Sequence, residues 1–486
     1  MGIPSYFSYI IRNHMNILKK FSIQTHQFQH LYFDSNSIIY DSVREIEKAG
    51  KMKPVLSENY ENISAMVCSK LQKYIDEIRP SNTIYIAFDG VAPLAKMKQQ
   101  RNRRYQAAFL EKHGIVPKNL FNSCQILPGT EFMEFLSKYV NKHFEKNAKV
   151  IVSASDERGE GEHKLFQYIR ENPEKHLGQN TVIYGLDADL LMLSIFNNKA
   201  SNFFVYREAP EFAKSLNAEL ENGASYILDI NLLCDSILVE IGCKYPHPDR
   251  IYDYAFLCFM LGNDFLPHLP ALNIRTNGIN HLLTAYKETL GLMKDTFIIF
   301  DKKIQWPQFK KVVDWMAKRE EGWLKVEYAK RRQERVNLKG DKESMMMSAP
   351  RIYREAEEYI NVNEAGWRER YYKVAGMSKE ENTEYVCGLC WVYKYYVGLS
   401  VDVSWKSEKS SGPLLWDVGS SVVEEKSVGV GEEKSVGVGF EKSVGVGFEM
   451  SAKKQLAYVL PKENSKYKFE WSFCKYLWEG HVIVDE

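Results

Sequence analysis

The sequence predicts an α/β fold: a mixed, mostly parallel sheet flanked by helices, followed by a mainly helical second region. Three observations carry this. Short apolar runs recur at residues 30–33, 83–88, 149–153 and 181–185, the last two rich in β-branched residues. Each reads as a buried strand. Helical stretches separate them, which is the alternation that builds a parallel sheet. From Phe300 on, the pattern turns helical and charged.

The chain has 486 residues, room for two or more domains and a large core. Hydrophobic residues make up 45% and charged residues 26%, an ordinary globular balance. The net charge of +1 excludes a uniformly basic or acidic surface, so any charged site must be local. No apolar run reaches the length of a membrane span. The start, MGIPSYFSYI, lacks a signal-peptide pattern. It also lacks a myristoylation pattern, because position six is Tyr6. A cytoplasmic or nuclear protein with reduced thiols is expected from its 8 scattered cysteines. Cys387 and Cys390 lie in an apolar helical stretch with no second pair or His partner, so they read as packing.

In chain order, the first strand ends in Asp34, whose side chain suits a helix N-cap, a turn or a ligand. A helix follows over residues 58–79, stopped by Pro80. The strand at 83–88 ends in Asp89-Gly90, and Pro93 suits the first turn of the next helix. On that helix Lys96, Gln100, Arg103 and Arg104 recur at i, i+4, i+7 and i+8, so they share one face. A solvated basic face is the plain reading. Beside a strand-end Asp, a phosphate-binding face is the sharper one. A helix over 131–144 precedes the third strand, and 202–206 is a further strand candidate. The helix over 251–261 stops at Gly262-Asn263 ahead of Asp264, Pro267 and Pro270. Residues 360–398 are helical and dense in aromatics. Residues 404–451 are rich in Ser, Gly, Val and Glu, with three EKSVGVG units over residues 425–448, and read as a linker or surface insertion.

Seven acids stand at predicted element ends: Asp34, Asp89, Glu160, Glu162, Asp187, Asp189 and Asp264. In a parallel sheet the C-terminal strand ends share one rim, where ligands bind. Carboxylates crowded there repel one another unless cations lie between them. An all-oxygen set suits Mg²⁺ or Mn²⁺ rather than zinc. Two ions about 4 Å apart would clamp the attacking and leaving oxygens of a phosphodiester. His163, beside Glu162, is a general-base candidate or a packing residue, and His268 reads as structural. A phosphatase and a nuclease share this acid pattern. The basic helix favours a chain that carries several phosphates.

The motifs MGIPSYF, FDSNSIIY, FDGVAPLAKMKQQRNRRY, LPGTEFM, SASDERGEGEHK, YGLDADLLML and LGNDFLPHLP occur in this order. With GWRERYY, YVCGLCWVYKYYVG and QLAYVLP, the chain resembles the XRN-type 5′→3′ exoribonucleases of the flap-endonuclease-like superfamily. The resemblance implies a PIN/flap-nuclease-like fold and Mg²⁺-dependent removal of mononucleotides from the 5′-monophosphate end of single-stranded RNA. It implies that the seven acids bind metal and are catalytic, and that Lys96, Gln100, Arg103 and Arg104 form the 5′-phosphate pocket. Tyr40 stands where the family has His at a base-stacking position, and Tyr also stacks. Trp405 is a second stacking candidate, set against a surface or packing role. The expected organisation is a nuclease domain at 1–295, a helical region at 296–403, a linker at 404–452 and a C-terminal segment at 453–486 packing on the helical region. A monomer without the extra domains of long members is expected. A 5′-flap DNA nuclease and a catalytically idle RNA-binding scaffold stay as alternatives.

Overall fold

The computed structural model describes residues 2–22, 27–117, 120–208, 220–221, 223–333, 341–347, 349–378, 381–422, 450–462, 467–473 and 478–484. The octapeptide repeat and residues 334–340 of the basic run lie outside the described residues.

Seven strands form one sheet: β1 (Leu18–Lys20), β2 (His30–Asp34), β3 (Thr83–Ala87), β4 (Val150–Ser153), β5 (Asn180–Tyr184), β6 (Asn202–Glu208) and β7 (Ser225–Asp229), in the order β1-β7-β6-β5-β2-β3-β4. The pairs β2·β3, β2·β5, β3·β4 and β5·β6 are parallel, while β7 runs antiparallel to β6 and to β1. The sheet is therefore mixed and mostly parallel, as the sequence predicts. Strands β1 and β7 add an antiparallel edge that the sequence reading did not foresee.

Strand periodicity splits the core into two layers. Leu31, Phe33, Ile84, Ile86, Val182 and Tyr184 face one layer. There they meet helices α2 (Asn36–Lys48), α3 (Tyr60–Ile78) and α5 (Glu131–Phe144). Tyr32, Tyr85, Ala87 and Ile183 face the other layer. That layer holds α1 (Tyr6–Asn13), α6 (Gly161–Glu171), α7 (Asp189–Phe196), α8 (Ile230–Ile241) and α9 (Arg250–Cys258). Helix α4 (Leu94–Lys112) follows β3, with Pro93 as its extended N-cap residue. Ser35, not Asp34, is the N-cap residue of α2, so the Asp34 side chain stays with the strand end.

The second region continues the layer of α6 and α7. It is built on the long α11 (Trp306–Gln333), α12 (Trp367–Ala375) and α13 (Asn382–Val397), with α11 packed on α10 (Gly278–Glu288) of the first region. Val386, Leu389, Val392 and Tyr396 of α13 join the same core as Leu190, Leu193 and Ile195 of α7. The expected linker starts too early. Leu415–Ser421 forms helix α14, which buries Leu415 and Val418 against α11. Two apolar residues at i, i+3 suffice to seat this short helix, although its composition is Ser- and Gly-rich. Glu320 of α11 accepts the N–H of Leu415 at 2.6 Å and of Trp416 at 3.3 Å.

The C-terminal segment touches both regions. Helix α15 (Ala452–Val459) lies on α4, where Gln455 Oε1 accepts the Ala92 N–H at 3.1 Å. Two antiparallel strands, Tyr467–Phe473 and Trp478–Val484, also contact α4. Phe473 meets Tyr371 of α12 at 6.0 Å and His268 edge-on at 5.5 Å.

Candidate active site

The C-terminal ends of β2, β3, β4 and β5 share one rim because these strands are parallel neighbours. Asp34 is the last residue of β2, and Asp89 lies two residues beyond β3. Glu160 and Glu162 sit at the start of α6, and Asp187 and Asp189 lie between β5 and the first turn of α7. Carboxylate oxygens of Asp34, Glu162 and Asp187 fall within 4.8 Å of one another. Ligand atoms of Glu160, Glu162 and His163 do the same. Gly161 permits this crowding. Its N–H donates to Asp89 Oδ1 at 2.7 Å. A Cβ there would stand 2.8 Å from Asp34 Oδ1. Asn36 donates to Asp89 Oδ2 at 2.6 Å, which orients that carboxylate. Asp264 comes from beyond α9. Gly262, at φ +87°, turns the chain where a side chain would be strained, and the Asn263 carboxamide oxygen accepts the N–H groups of Phe265 and Leu266.

Lys96 stands inside this cluster. Its Nζ lies 2.5 Å from Glu160 Oε2 and 3.0 Å from Asp264 Oδ2. Burial works against its charge, but Glu160, Asp264, Glu162 and Asp189 hold the ammonium protonated well above the ordinary range. Burial raises the carboxyls of Asp34, Glu160, Glu162 and Asp189. Asp89 and Asp187 push Asp34 further the same way. A carboxylate-rich, thiol-free donor set of this kind fits hard divalent cations. Asp34, Glu162 and Asp187, with Glu160 beside them, are the residues placed to hold such ions.

The basic face of α4 divides along its length. Lys96 is buried among the acids, and Gln100 Oε1 accepts from Gln455 Nε2 at 3.3 Å. Arg103 is exposed. Arg104 donates through Nη1 to Ser123 Oγ at 2.8 Å and through Nη2 to the Tyr40 hydroxyl at 3.0 Å. The Arg104 Nε is buried without a hydrogen-bond partner among the described residues. Tyr40 therefore adjoins the basic face. Trp405 stacks on Trp391 at 4.8 Å, which extends an aromatic column through Tyr395 to His163.

Sequence reasoning missed Tyr395 and Tyr396. Tyr395 donates to Glu160 Oε1 at 2.7 Å, and Tyr396 donates to Asp189 Oδ1. Burial and the acids keep both hydroxyls protonated far above the usual phenol range. His163 stacks on Tyr395 at 3.8 Å, and burial holds its imidazole neutral. The YYVG stretch was the available signal, but nothing in its spacing says which rings reach the acids.

This geometry sets an acidic cluster that could hold divalent cations on an α/β scaffold, beside a basic helix. The chain matches the model of the XRN 5′-3′ exonuclease N-terminus over residues 1–209 and that of the Xrn1 helical domain over 245–362. It belongs to the XRN exonuclease family. It is 30% identical over 397 residues to 5′-3′ exoribonuclease 1 of Saccharomyces cerevisiae, covering 74% of this chain and 26% of that protein. It is 32% identical over 324 residues to 5′-3′ exoribonuclease 1 of Schizosaccharomyces pombe, covering 60% and 24%. Against the 5′-3′ exoribonuclease 2 homolog of Drosophila melanogaster, the identity is 26%, covering 82% and 59%. The chain thus spans 26% and 24% of the two yeast relatives' lengths. Among the described residues, no helix is long and apolar enough to cross a membrane.

Proposed function

We propose that this chain is a 5′→3′ exoribonuclease that hydrolyses 5′-monophosphorylated single-stranded RNA to mononucleotides, acting as a monomer inside the cell. The observation that carries the reading is the convergence of Asp34, Glu162 and Asp187 within 4.8 Å beside Lys96 and the basic helix. The yeast and fly relatives bear exoribonuclease names, which supports the same reading.

Two Mg²⁺ or Mn²⁺ ions, when bound, would supply the charge that activates water and stabilises the scissile phosphate. The chain's own residues do the rest. Asp34, Asp89, Glu160, Glu162, Asp187, Asp189 and Asp264 hold that charge at the rim. Asn36 and Gly161 fix Asp89 so that it does not swing away. Lys96 keeps the buried acids from repelling one another before substrate arrives.

Arg103 and Arg104, with Lys96 and Gln100, receive the 5′ phosphate. The buried Nε of Arg104, without a partner among the described residues, is a donor that an oxyanion would satisfy. Tyr40, held by Arg104, offers a ring to the first bases, and Trp405 a second one. A pocket that measures a terminal phosphate gives the reaction its direction.

The metal dependence of cleavage tests this reading. Monophosphorylated single-stranded RNA should disappear with Mg²⁺ and persist in chelator. A 5′-flap DNA of equal length should be cut far more slowly. Preference for the flap DNA would replace this reading with a flap nuclease.

A further inference from the structure

We infer that Tyr395 and Tyr396 are positioning residues that set the orientation of two metal-binding acids from outside the nuclease sheet. The inference rests on the metal-dependent reading above. The two tyrosines are consecutive on α13, so their side chains leave the helix about 100° apart. They reach acids from two different strand ends. Tyr395 donates to Glu160, which follows β4, and Tyr396 to Asp189, which follows β5. Each hydroxyl ties down one carboxylate oxygen. On Glu160 the tied atom is Oε1, while Oε2 faces Lys96. Partners of this kind fix the rotamer of a ligating carboxylate and so raise its affinity for the ion.

The rings are themselves held. His163 stacks on Tyr395 at 3.8 Å with the planes 29° apart, and meets Tyr396 edge-on at 5.7 Å and 83°. Trp391 stacks on the next face of Tyr395 at 5.0 Å, and Phe259 lies 4.8 Å from Tyr396. A phenol so packed has little freedom to turn its hydroxyl away. The helical region thereby completes the acid centre instead of merely shielding it.

The test is a titration of the full chain with Mn²⁺ alone, read by electron paramagnetic resonance without RNA. Tyr395→Phe and Tyr396→Phe keep the ring and remove only the hydroxyl. Each should weaken Mn²⁺ binding roughly 10- to 100-fold. Tyr393→Phe is the control, because Tyr393 is buried on the same helix but packs on Phe196 and Phe256. It should bind Mn²⁺ like the wild type. Unchanged affinity in both test variants overturns the inference, as does an equal loss in Tyr393→Phe. A wild-type chain that binds no Mn²⁺ overturns the metal reading as well, whereas an altered RNA preference leaves this inference standing.

Discussion

The Lys96 ammonium lies 2.5 Å from Glu160 and 3.0 Å from Asp264, so the basic face of its helix meets the acid cluster at this end. Removing one partner of a buried ion pair leaves uncompensated charge, which costs about 3–5 kcal/mol. Lys96→Met should therefore lower stability by about that amount in chelator. Saturating Mg²⁺ should recover part of the loss. Urea denaturation with and without the ion measures both. A variant as stable as the wild type in chelator would show that the acids need no internal cation.

Asp187 shares its site with Asp34 and Glu162. Asp187→Ala should reduce cleavage by roughly 100-fold or more, since changing even a residue behind a metal ligand often costs 10- to 100-fold. RNA binding should be largely retained, because affinity comes mainly from phosphate contacts elsewhere. Single-turnover cleavage and filter binding on the same preparation separate the two effects.

Arg104 spends both terminal nitrogens on Ser123 and Tyr40. Replacing Arg103 and Arg104 by Ala should erode discrimination between monophosphate and hydroxyl 5′ ends about 10-fold or more, the worth of one charged hydrogen bond or two. The turnover of the hydroxyl-ended RNA should change little. A uniform drop on both substrates would place these arginines outside the 5′ pocket.

Glu320 gives a pH signature unrelated to the acid centre. Burial raises its carboxyl from 4.5 to about 7, against the N–H groups of Leu415 and Trp416. Between those values the folded chain keeps a proton that the unfolded chain has lost. Its contribution is thus fully present below about pH 4.5 and lost as pH rises through about 7, a span worth about 3 kcal/mol. The stability difference between wild type and Glu320→Gln should change by that amount across the window. A constant difference from pH 4.5 to 8 would contradict the assignment.

Much of the rim was legible because strand ends announce themselves. Asp34 and Asp89 follow short apolar runs, and β2 ends at Asp34 while β3 ends two residues before Asp89. Helix α5 matches its predicted span because Thr130 caps it through the Met133 N–H. Strand β1 was not legible, since Leu18–Lys20 has three residues and one apolar side chain. The Tyr395–Glu160 and Tyr396–Asp189 bonds join residues 235 and 207 positions apart. No local period encodes such a meeting. Lys96 shows the same limit: its helical face was readable, but the depth at which the helix start is buried was not.

A chain that reads the 5′ end of RNA must tell one end chemistry from another. One RNA sequence carrying a 5′ monophosphate, triphosphate, hydroxyl or cap should be incubated with the protein and Mg²⁺, with products resolved by length. The monophosphate form should be lost rapidly to mononucleotides while the other three persist. Equal rates on all four ends, or products of intermediate length, would contradict this reading.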